Sequence, residues 1–315
     1  MIAALLAGSG ILSGCTKKTQ WAATFFQPWK QHADMSEQDW SKLFADIQQL
    51  GFRQIYIQWL GHTHGTDNWM LSDQTIKNLL NIANSQGMSL VIGLPYDNRW
   101  NDVLGSDSLS EISRFFDQTV EAADALIQHS SWANHSAVKG WYIPYELEQY
   151  NWSHKQKALL LADWLKTLAA TISRYSNAMP SISTYCSQLQ TQQTMASLWS
   201  GIIQYGAQVR PLLQDGAGVY GQQQTEELDQ LQRYFQSQKI TFDLIIELFQ
   251  QQQPISKDLQ DFTAVSASPD RIKHQLRRFE ASGARHAIAF AAYPWLTNET
   301  ETAEHLRSQW DSLGY

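Results

Sequence analysis

The chain has 315 residues, 43% of them hydrophobic and 17% charged, proportions that supply enough apolar surface for a large core and exclude a chain disordered over most of its length. Net charge is −7 and lysine and arginine gather into no patch, so the phosphate attraction that nucleic-acid binding requires is missing and no nucleic acid partner is expected. The 13 Trp, 12 Tyr and 12 Phe include more large amphipathic rings than core packing asks for, and they predict a surface that is apolar on its face and hydrogen-bonding at its edge, as a sugar-binding cleft must be.

Residues 1–15 form an apolar run, too short to span a bilayer, that ends in small residues directly before Cys15. Leu12-Ser13-Gly14-Cys15 resembles the lipobox of bacterial lipoproteins. The resemblance implies cleavage before Cys15 and lipidation of that cysteine, a short tether to residue 20, and a folded domain over 21–315. Thr16, standing where an Asp would signal the inner membrane, implies a lipid-anchored protein of the bacterial cell envelope, at the outer membrane and facing the periplasm. The basic residues that usually open such a leader are missing, which points to a start further upstream. Cys186 is the other cysteine; after lipidation no intrachain disulfide is available, and Cys186 reads as a small buried hydrophobe.

Beyond the leader, apolar runs of strand length alternate with amphipathic stretches to the end of the chain. The predicted strands are 22–29, 53–59, 89–96, 138–146, 181–186, 209–214, 242–249 and 286–293. The predicted helices are 36–50, 72–86, 109–128, 153–175, 190–203, 225–237, 269–281 and 299–312. Ser36 with Asp39 makes an N-cap signature and Gly51 closes the same helix, while Ser72 and Gly87 bracket the next. Pro211 makes the sixth strand the least regular, and that run could instead be a loop delivering Asp215 to the mouth. An unbroken βα alternation of this length predicts an α/β fold, a single-domain (β/α)8 TIM barrel rather than an open doubly wound sheet. No glycine-rich phosphate loop follows the first strand, and polar or aromatic residues cluster at the C-terminal ends of the strands. No cofactor is expected.

Catalytic groups of such barrels sit where strands end. The fourth strand ends in Tyr142-Ile143-Pro144-Tyr145-Glu146-Leu147-Glu148, and alternation puts Tyr142, Pro144, Glu146 and Glu148 on one face. In the seventh, Glu247 interrupts an otherwise apolar strand, where a carboxylate needs a partner, a raised pKa or a catalytic task. Glycoside hydrolysis uses two carboxyl groups flanking the scissile bond, and glutamates on strands four and seven can face each other across a barrel mouth. Trp29, Trp59, Tyr96, Tyr145, Tyr185, Tyr293 and Trp295 fall at or just past strand ends and predict a stacking rim, with Gln27, Gln58, Asp97 and Asp215 to bond hydroxyls.

With these residues in place, the chain resembles the clan of retaining glycoside hydrolases that carries its acid/base at the end of strand four and its nucleophile at the end of strand seven. It is similar also to a bacterial family of glycosyl-hydrolase-like barrels. The residues that carry the likeness are Phe26-Gln27-Pro28-Trp29, Gly140 to Glu146 and Gln214-Asp215-Gly216-Ala217-Gly218. The resemblance implies Glu146 as acid/base, Glu247 as nucleophile, Trp295 as an aromatic floor, and an oligo- or polysaccharide substrate. Glu148 is the substitute acid if strand four runs one pleat further. The clan usually has Asn before its acid, where this chain has Tyr145; that departure motivates a second reading, a non-catalytic carbohydrate-binding barrel serving polysaccharide export or assembly. His62-Thr63-His64 motivates a third, a metal hydrolase, but no later residues complete a ligand set, so no metal is expected and His62 reads as a substrate-binding or loop histidine.

Overall fold

All eight apolar runs form strands in the computed structural model, which describes residues 21–221, 226–252 and 263–313. They are β1 Trp21–Phe26, β2 Gln54–Ile57, β3 Ser89–Gly93, β4 Val138–Leu147, β5 Ser181–Thr184, β6 Arg210–Gln214, β7 Asp243–Glu247 and β8 Ala287–Phe290. Neighbours pair in parallel all the way round and β1 pairs β8, closing the barrel. The predicted leader and Cys15 lie outside the described residues.

The helices are α1 Glu37–Gln49, α2 Asp73–Ser85, α3 Leu109–His129, α4 Lys155–Ser173, α5 Met195–Tyr205, α6 Glu226–Ser237, α7 Pro269–Ser282 and α8 Glu301–Ser308. The Ser36 hydroxyl accepts from Asp39 N at 3.2 Å and the Asp39 carboxylate accepts from Ser36 N at 3.3 Å, the reciprocal cap read from the sequence. β1 stops at Phe26, three residues short of expectation, because Pro28 has no N–H to give a ladder. Pro211 is tolerated inside β6 because the ladder to β7 begins only at Leu212, so the missing donor falls beside no partner.

Closure sorts the side chains by the period of two. Ala23, Phe25, Tyr56, Val91, Tyr142, Leu212, Ile245 and Ile288 point inward and fill the barrel. The opposite faces of the strands pack against the helices in a second, larger core that holds Trp40, Trp132, Trp141, Trp152, Trp199 and Trp310. Of the tryptophans, all but Trp29, Trp69 and Trp295 are buried, which corrects the expectation that their number marks a sugar-binding surface: most of them pack helices onto the barrel. At the floor, where the strands begin, Trp21 stacks on Trp310 at 5.1 Å and the Trp310 indole donates to Leu50 O at 3.0 Å.

Also at the floor, Asp243 accepts from Arg210 Nε at 2.5 Å and Nη2 at 2.6 Å, and lies 3.0 Å from His286 Nδ1. Asp243 is buried, so its loss strands a guanidinium in a poorly hydrated place. Asp243→Ala is therefore expected to lower unfolding stability by about 3 kcal/mol in a urea melt; a change within the noise of the melt would show that the pair contributes nothing.

Candidate functional site

Two residues beyond the inward apolar layer the same strands turn polar. Phe25 is followed by Gln27, Tyr56 by Gln58, Leu212 by Gln214 and Ile245 by Glu247, while Tyr142 leads through Pro144 to Glu146. All of these upper residues line one cavity of about 1230 Å³ at the C-terminal end of the barrel. Trp29, Trp59, Tyr96, Tyr293 and Trp295 stand in its wall with Tyr185. Trp29 is 45% exposed at the lip and meets Trp59 edge to face at 5.7 Å, leaving ring surface open for stacking.

The two glutamates share this cavity without a cation between them. Glu146 Oε1 accepts from Gln214 Nε2 at 2.8 Å. Burial raises its pKa, and only that neutral amide opposes the rise. Glu247 is 5% exposed, and its Oε2 accepts from Gly218 N at 2.6 Å. Burial, then the negative charge of Asp215, push Glu247 up to about 8, against the Gly218 N–H and the Arg271 guanidinium; Glu146 adds a smaller upward push. Glu247 thus has a backbone N–H and a guanidinium to favour its charge, whereas Glu146 has a neutral amide.

The loop after β6 makes this grip. Gly216 takes a left-handed φ of +66°, and a Cβ on Gly218 would lie 2.7 Å from Phe249 O and 2.8 Å from Glu247 Oε2, so only glycine brings this N–H to the carboxylate. Arg271, buried on α7, donates to Ala217 O at 2.8 Å, Glu247 O at 2.9 Å and Phe249 O, tying the loop to β7 from behind.

Four predicted binding residues are absent from the cavity wall. Tyr145 points outward among Trp100, Phe115 and Trp164, its hydroxyl accepting from Asp97 N at 3.2 Å. Glu148, buried, accepts from Tyr150 N at 2.6 Å and Asn151 N at 2.7 Å and so caps the turn after β4. Asp215 lies behind Glu247, accepting from Ala217 N at 3.1 Å and Gln275 Nε2 at 2.6 Å. His62 sits 4.6 Å from Trp59 and stacks on Trp69, its Nδ1 3.0 Å from Asn98 Oδ1. Asp97, expected at the rim, is paired with Arg99 at 2.6 Å and His64 at 3.0 Å. His62 and His64 thus have different partners, and among the described residues no group of three His, Cys, Asp or Glu is placed to hold a metal.

Other wall residues had no sequence signal. Trp100 and Asn101 come from a short helix, Trp100–Gly105, and Phe249 from a two-stranded ribbon with Ala264–Ser266. Gln214 is legible as an inward strand end two residues beyond Leu212 once the period of two is carried through Pro211.

Between 4.5, the ordinary Glu value, and about 8 the folded protein keeps the Glu247 proton that the unfolded chain has released, so stability is expected to fall as pH rises through that window. Melting temperature against pH checks this, and Glu247→Gln should flatten the slope; an unchanged slope would place the proton elsewhere.

Solved structures that share this architecture include a provisionally named alpha-L-fucosidase of Bacteroides thetaiotaomicron, at TM-score 0.69 and 16% identity over 99% of this chain and 98% of that one. They include also the endo-1,4-beta-mannanase of Rhizomucor miehei, at TM-score 0.59 and 11% identity over 95% and 96%. An endo-alpha-mannosidase of Bacteroides thetaiotaomicron follows at TM-score 0.52 and 11% identity over 94% and 98%. At such identities the likeness speaks for the fold. In sequence, the uncharacterized protein YbcH of Escherichia coli is 24% identical over 198 residues, 62% of this chain and 64% of its own length, so the match covers less than two thirds of that relative. Residues 22–303 match the family described as a domain of unknown function, DUF4434, and the chain belongs to that family.

Proposed function

We propose that the protein is a glycoside hydrolase acting on a bacterial envelope or extracellular polysaccharide. The observation that carries this reading is the pair of glutamates at the ends of β4 and β7, in one aromatic-walled cavity and without a cation between them. Such a pair holds its proton tightly, which supplies one acid and one base at the same bond. Glu146, with the weaker compensation, is the proton donor to the leaving oxygen. Glu247, with the Gly218 N–H and Arg271 behind it, bears the charge and attacks the anomeric carbon. The glycosyl ester is then released by water that Glu146 deprotonates, with retention of configuration.

The glycosidases among the structural neighbours support this reading at the level of fold. The lipobox resemblance at Cys15 supports lipid anchoring in the envelope, at the outer membrane. A polysaccharide is the proposed partner, and catalysis needs no cofactor.

Glu146→Gln and Glu247→Gln are each expected to lower reducing-end release from bacterial glycans by at least about 1000-fold, in line with the loss of a nucleophile or acid, while thermal unfolding shows each variant folded. Retained turnover in a folded double variant would sink the reading, and glycan binding without turnover in the parent would favour a binding barrel. Because Glu247 is pushed up to about 8, the kcat/KM profile of the parent should rise through that pH as the nucleophile loses its proton; a profile already flat at pH 5 would contradict the assignment.

A further inference from the structure

We infer that the cleft takes an uncharged polysaccharide and turns away polymers whose repeat carries a carboxylate, sulfate or phosphate; this specificity rests on the glycosidase reading above. Among the described residues, the cavity wall contains no lysine or arginine, and its acidic side chains are Glu146 and Glu247. Cations do lie close by, and each is held to another partner. Lys30, between Trp29 and Gln31 of the wall, bridges to Asp67 at 2.8 Å. Arg99, beside Trp100, bridges to Asp97 at 2.6 Å. Lys157 donates to Leu104 O at 3.2 Å, and Arg271 is spent on backbone carbonyls. His32 accepts the Trp29 N–H on Nδ1 at 2.8 Å and burial lowers its pKa, so it adds no positive charge.

Neutral amides instead make up much of the polar lining, among them Gln27, Gln31, Gln58, Asn101, Gln214 and Asn298. An amide both donates and accepts, and so matches a sugar hydroxyl, which does the same. Gln58 gives the sharpest sign, since the residue is 5% exposed and its Oε1 is buried without a partner. A buried acceptor needs a donor. A hydroxyl supplies one, whereas an ionised acid group has none to give. An anionic sugar in this cleft would give up its hydration with no lysine or arginine in the wall to pair it, a desolvation cost worth at least about tenfold in binding.

The test is affinity electrophoresis and reducing-end release with the full chain. The polymers are neutral mannans, glucans and galactans; alginate and polygalacturonate; the same two uronates after carboxyl reduction, which keeps the linkages and removes the charge; and chitosan as the cationic arm. Binding or cleavage confined to neutral polymers, at least tenfold above the uronates, is the expected result, with carboxyl reduction raising the binding of any uronate backbone that fits. A uronate handled as well as its reduced form would overturn the inference while leaving the glycosidase standing. Preference for chitosan over every neutral polymer would overturn it in favour of a cationic amino sugar. Failure with every polymer would overturn the glycosidase reading and this inference together.

Discussion

Closing eight strands into a ring leaves every second side chain pointing into a space with no water, and the rest of the molecule follows from how that space is filled. Phe25, Tyr56, Tyr142, Leu212, Ile245 and Ile288 fill it with apolar and aromatic surface. One pleat higher along the same strands, Gln27, Gln58, Gln214 and Glu247 occupy the inward positions. The site is therefore the upper end of the core rather than a feature added to it. The same packing that stabilises the barrel deprives the two glutamates of hydration, so their raised pKa values are a consequence of the fold.

Glu247 is also where three separate stretches of chain meet. β7 carries it, the loop after β6 brings Gly218 N to its carboxylate, and Arg271 of α7 holds the carbonyls on both sides. Asp215, behind it, completes the arrangement through Gln275. A carboxylate gripped from behind in this way has little rotamer freedom to lose when it acts, which is what preorganisation means for a reacting group.

How much of this was legible in the sequence depends on the range of the interaction concerned. Strand and helix order were legible because hydrophobic period and caps are local, and Ser36 with Asp39 behaves in the fold as it reads in the chain. Glu146 and Glu247 were legible as well, because a carboxylate in an apolar strand conflicts with its surroundings. Strand alternation does not say where the wall ends, so Glu148 was placed on the same face as Glu146 although the turn after β4 uses it as a cap. Tyr145 falls at a strand end as the rim aromatics do, but the same period of two turns it outward, among Trp100, Phe115 and Trp164. Asp215 and Arg271 belong to contacts between distant segments, and nothing in their own neighbourhoods announces Gln275, 60 positions from Asp215, or Ala217, 54 positions from Arg271.

The direction of β1 has a further consequence. Its first residue, Trp21, packs at the floor against Trp310, whereas the cleft opens at the far ends of the strands. The amino-terminal connection therefore leaves from the pole opposite the opening. A lipid attached through Cys15, as proposed, would join the chain six residues before Trp21, and so at the end of the barrel that polymers do not have to enter.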